Sequence, residues 1–124
     1  MRLCSLYSGS SGNSIYVGSD QTHILVDVGV SAKKIIEALA KVEIKPEEID
    51  GILITHEHSD HIAGLGVILR KFGIPVYGTP KTLEAVAQYK SLGKVDMSLF
   101  HGVEPEQSFQ INDMWIKPIS TWHD

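Results

Sequence analysis

The sequence predicts a layered α/β (α+β layered) fold built on a mixed β-sheet, and three observations carry that reading. Short apolar runs near 14–17, 22–26, 51–54 and 75–78 alternate with longer stretches near 31–42, 60–72 and 79–92, where apolar residues recur at helical spacing. Gly, Pro, Asn and Asp mark most junctions between them. A chain of 124 residues with 43% hydrophobic content fits one domain with a modest core.

In chain order, 2–8 and 14–17 read as two strands joined by Gly9-Ser10-Ser11-Gly12-Asn13, a segment dense in turn formers. No Gly-Lys-Ser/Thr follows, so this is not a P-loop, and a tight connection is the simpler reading. After a turn at 18–21, Thr22 opens a third strand that ends at Asp27. Asp27 reads either as a carboxylate that orients a metal-binding imidazole or as a plain turn former, and His23 as a structural or exposed residue. Ser31 is a suitable N-cap for a helix reaching about Val42, with Ile35, Ile36, Leu39 and Val42 on one face and Lys33, Lys34, Glu37 and Lys41 towards water. Pro46-Glu47-Glu48 makes a short helical or turn-like lead into a strand over 51–54.

That strand delivers Thr55-His56-Glu57-His58-Ser59-Asp60-His61 to the end of an apolar element. Histidines at i and i+2 face opposite sides of a helix, so His56 and His58 should precede the helix, which then begins near Asp60. Ile62, Leu65 and Leu69 continue it, Arg70 and Lys71 complement the dipole of its last turn, and Gly73 ends it. Imidazoles with a carboxylate suit zinc, manganese or iron better than calcium or magnesium. The bland alternative is an exposed polar loop rich in histidine. Another strand falls at 75–78, and Thr79-Pro80 opens a helix to about Leu92. Two runs near 108–111 and 114–118 flank Asn112-Asp113, a hairpin signal.

No run of 18 apolar residues exists, nor a basic segment followed by an apolar one, so neither a membrane span nor a signal peptide is indicated and a cytoplasmic location is the default. The single Cys4 cannot close an internal disulfide and reads as a small apolar residue. A net charge of −4 gives no global attraction to nucleic acid.

The spacing of His56, His58, Asp60 and His61 after a strand resembles the metallo-β-lactamase superfamily, whose signature is His-x-His-x-Asp-His. The start from Leu3 to Ser14 and the Asp27-Val28-Gly29 step resemble its YycJ/WalJ-like branch, whose members are regarded as DNA exonucleases. The resemblance implies the N-terminal half of an αββα sandwich, a mixed sheet with helices on one face. Residues 1–124 would then be an incomplete domain, since complete family members are about twice as long. It further implies two divalent metal ions in the complete domain, zinc first, with manganese or iron as alternatives. His56, His58 and His123 would hold one ion and Asp60 with His61 the other, with Asp60 also the catalytic group that orients the attacking water. Ser11 or Asn13 would line the substrate mouth. The implied reaction is hydrolysis of a phosphodiester by a metal-activated water, with DNA as partner and this half alone weakly active or inactive. A small-molecule metallohydrolase acting on a thioester, lactone or β-lactam, or a non-catalytic metal-binding half-domain, are the other readings. Self-association through an exposed apolar sheet face is also expected.

Overall fold

The computed structural model describes residues 1–56 and 58–119, and of Ser59 and Asp60 the backbone alone. Its main sheet has six strands in sequential order: β1 (Arg2–Tyr7), β2 (Ser14–Gly18), β3 (His23–Val26), β4 (Gly51–Leu53), β5 (Val76–Gly78) and β6 (Phe100–Gly102). The first three pair antiparallel, as short connections allow. From β3 onward the pairing is parallel, with intervening segments long enough to cross over the sheet. The pairing is mixed, as the alternation of elements predicts.

Helices cover one face. The first, α1 (Ala32–Lys41), starts at Ser31, whose Oγ accepts from the Lys34 N–H, and buries Ala32, Ile35, Ala38 and Leu39. With α3 (Leu65–Phe72) and α4 (Pro80–Ala87) it packs on Tyr16, Leu25, Ile52 and Val76 of the sheet. Gly73 closes α3 in the left-handed conformation at φ 62°.

Two expectations are corrected, and one strand is added. The helix expected from Asp60 to Gly73 is two pieces, α2 (Ser59–Ile62) and α3, because the loop after β3 interrupts its ladder. The Gly64 N–H goes to the Val28 carbonyl at 3.0 Å, and the His61 carbonyl accepts from Val28 N–H at 2.8 Å. The helix expected to reach Leu92 stops at Ala87, and a 3-10 turn covers Lys90–Leu92. Strand β6, three residues after a 3-10 turn, went unpredicted.

The hairpin forms as β7 (Phe109–Ile111) and β8 (Met114–Ile116), turning at Asn112 with φ 50°. It is a separate two-stranded sheet laid on the face opposite the helices, where Ile111 and Met114 bury Ile24 and touch Val17, Val26, Leu53 and Tyr77. The face expected to lie bare is therefore covered at its centre. Among the described residues, its β1–β2 margin shows Leu3 at 76% and Ile15 at 36% exposure. Among the described residues, no helix is long and apolar enough to cross a membrane.

Candidate metal centre

Parallel neighbours end at the same level, and β3 and β4 do so with Val26 opposite Leu53. The residues that follow each strand, Asp27 and Thr55-His56, therefore meet at one edge. Asp27 is fixed there by its N–H, which donates to the Leu53 carbonyl at 2.8 Å, and by a left-handed φ of 64° that few residues adopt without cost.

The Asp27 carboxylate is 5% exposed and accepts three hydrogen bonds. Oδ1 takes the Thr55 N–H at 2.8 Å. Oδ2 takes the Thr55 hydroxyl at 2.5 Å and His61 Nδ1 at 2.6 Å. Since the one Thr55 hydroxyl proton goes to Asp27, Thr55 Oγ1 accepts from His56 Nδ1, 2.9 Å away. Both imidazoles thus carry their proton on Nδ1, and a ring so held ligates a metal through Nε2. The geometry makes Asp27 the group behind the ligands, the first of its two sequence readings.

The rings converge. His56 and His61 have centroids 4.7 Å apart, and His56 and His58 6.0 Å apart. Ligand atoms of Asp27, His56 and His61 all lie within 4.8 Å of one another, which brings both imidazoles to one compact centre in front of the carboxylate. Buried carboxylate behind, half-buried imidazoles in front and an exposed His58 at the N-cap of α2 form the graded donor set that a metal such as zinc requires. The residues present fit a divalent transition metal.

Of the other ligands expected from the sequence, Asp60 has its backbone in α2 while its side chain lies outside the described residues, as does all of His123. His23 stands apart, its Nδ1 2.5 Å from the buried Tyr16 hydroxyl. His101 stacks on Tyr77 with centroids 5.1 Å apart. Neither belongs to the cluster found among the described residues. Sequence reasoning missed Thr55, and the only signal was a hydroxyl residue between an apolar strand and the first histidine.

The Gly9–Asn13 loop lies on the same edge, because β2 begins beside the end of β3. The Asn13 carboxamide braces it through Gly9 N–H and Gly9 O at 3.2 and 3.0 Å, and the Asn13 carbonyl accepts from Gly29 N–H at 2.8 Å. Gly12 has no room for a Cβ, which would meet the Gly29 carbonyl and the Val30 side chain.

A family model described as the metallo-beta-lactamase superfamily matches residues 7–101. The chain is 48% identical over 119 residues to exodeoxyribonuclease WalJ of Streptococcus pneumoniae, covering 96% of this chain and 44% of that protein. It is 39% identical over 119 residues to exodeoxyribonuclease YycJ of Bacillus anthracis, with the same coverage, 96% and 44%. The chain thus spans less than half the length of these relatives. Among solved structures it resembles Rm3 metallo-beta-lactamase, with a TM-score of 0.68 and 25% identity over 91% of this chain and 49% of that one.

Proposed function

This chain belongs to the metallo-β-lactamase superfamily, and on that premise we propose that it is the N-terminal part of a metal-dependent hydrolase that cleaves phosphodiester bonds from a DNA end. The observation that carries the reading is the hydrogen-bonded series His56–Thr55–Asp27–His61 at the carboxyl edge of β3 and β4. The names of the two exodeoxyribonuclease relatives supply the substrate class.

His56, His58 and His123 would hold one divalent ion, and Asp60 with His61 a second; zinc would suit this set, with manganese or iron as alternatives. Bound there, such ions would supply Lewis acidity, bringing a coordinated water's pKa towards neutrality and drawing charge from the phosphoryl oxygens. The chain's own residues do the positioning. Asp27 keeps the His61 proton on Nδ1, and Thr55 does the same for His56 while tying its own backbone to Asp27. Asp60 orients the attacking water and receives its proton.

The test is turnover by the metal-loaded whole protein on 5′-labelled single-stranded DNA, a thioester and a chromogenic β-lactam. The DNA alone should be shortened stepwise. Asp60→Ala should abolish this, whereas Lys33→Ala and Lys34→Ala, on the solvated face of α1, should leave it nearly unchanged, since exposed charges act weakly through salt. Intact DNA beside rapid thioester cleavage contradicts the proposal, and full nuclease turnover by Asp60→Ala contradicts the role given to Asp60.

A further inference from the structure

We propose that the cleft beside His56 seats the base of the terminal nucleotide, so that the phosphate attached to it lies at the metal centre. This rests on the nuclease reading above and assigns that site its base-binding subsite. The cleft, of about 410 Å³, opens at Thr55 and His56 and runs between the carboxyl ends of β4, β5 and β6 and the segment from Lys117 to Ile119. Crevices at the carboxyl ends of parallel strands are the usual ligand position in α/β sheets, and this size falls in the range of small-ligand sites.

Its chemistry selects among ligands. The floor is apolar and partly aromatic, with Tyr77 and Phe109 stacked at 5.4 Å and 23° between rings. Among the described residues its lining holds Lys117 and no Asp or Glu, which favours an anionic or neutral group over a cation. Thr55, Thr79 and Thr82 add polar residues to the lining. Thr79 donates to Thr82 Oγ1 at 3.0 Å, and no hydrogen bond places the Thr82 proton on another described residue. A purely aliphatic ligand leaves the Thr82 hydroxyl proton unmatched. A flat ring with apolar faces and a polar edge satisfies both parts, and a nucleobase on an aromatic platform is held regardless of sequence, which suits an enzyme that works inward from an end. His56 lines both cleft and metal cluster, so a base in the first puts its own phosphate at the second.

The experiment is an amide-resolved NMR titration of the metal-free protein with thymidine 5′-monophosphate, 2-deoxyribose 5-phosphate and inorganic phosphate. Expected are shifts at Tyr77, Gly78, Val103 and Phe109 with the nucleotide only. Thr82→Leu, which adds bulk to the lining from the half-buried side of α4, should weaken nucleotide binding about tenfold. Thr82→Val, a shape-conserving change, should weaken it severalfold and serves if the larger residue disturbs folding. Equal shifts with deoxyribose phosphate, or no response at these four amides, overturn the proposal. Base binding here without DNA hydrolysis by the whole protein would count against the nuclease reading instead, and hydrolysis without these shifts counts against the cleft.

Discussion

Asp27 holds the centre together through a carboxylate that only accepts. Asp27→Asn replaces one acceptor oxygen by a donating NH2, which faces either the Thr55 N–H or the two donors at Oδ2. The outcome expected is a loss of zinc affinity of about 10–100-fold, the usual cost of removing a group behind a ligating histidine. Competition with a chromogenic chelator measures it, and far-ultraviolet circular dichroism should show the fold retained. The motif histidines stood out by their spacing, whereas Asp27 at the end of its strand read equally as an orienting carboxylate or a plain turn former until its hydrogen bonds were seen. Thr55 was not, because its bond to a residue 28 positions earlier exists only once β3 and β4 pair in parallel.

A second carboxylate, Asp113 in the hairpin turn, is held below the usual carboxylate range first by the Thr22 hydroxyl and then by Ser19. A folded pKa below the unfolded one stabilises the protein above the ordinary carboxylate value near 3.9 and loses that stabilisation as pH falls through the lowered one. Asp113→Asn should therefore lower the Tm at neutral pH, and the gap from the wild type should close as the pH drops below about 4. Thermal melts across that range check it; a gap independent of pH contradicts the assignment.

At the level of elements, the break between α2 and α3 fixes where the last motif histidine points. Gly64 permits the break: a Cβ there would run into the Val30 carbonyl and reach within 3.0 Å of the Ala32 N. These are backbone atoms of the loop after β3, so neither side yields easily. Gly64→Ala should cost about 1–3 kcal/mol, measured by urea unfolding, although alanine is the better helix former. It should also weaken zinc binding, since α2 carries His61 and its carbonyl is bonded to Val28. The sequence pattern of Ile62, Leu65 and Leu69 gives no sign of the break. Helical spacing persists across it, while the competing carbonyl comes from a loop more than 30 residues earlier. Conversely α1 was legible to its cap, because Ser31 and the apolar face are local signals.

Across the whole molecule, the hairpin β7–β8 makes one side of the six-stranded sheet a sandwich interior and lets the cleft beside His56 have a second wall. Met114, 8% exposed, plugs that interior against Ile24. Met114→Ala should cost about 2–5 kcal/mol in urea unfolding while leaving zinc binding intact, since it packs in the apolar cluster around Ile24. The turn at Asn112-Asp113 announced the hairpin, but which face it would cover depends on pairing and packing that no local window contains.

The central claim is that the edge formed by β3 and β4 is a metal centre whose ligands include the motif histidines. Zinc per chain after equilibrium dialysis, measured by elemental analysis on the wild type, His56→Ala and His58→Ala, tests it most directly. We expect about one tightly held zinc per chain in the wild type, because Asp60 and His61 alone give a second ion fewer ligands than zinc usually takes, and close to none in either variant, because water replaces a lost imidazole poorly. Unchanged zinc content in both variants, with folding intact, would contradict the account.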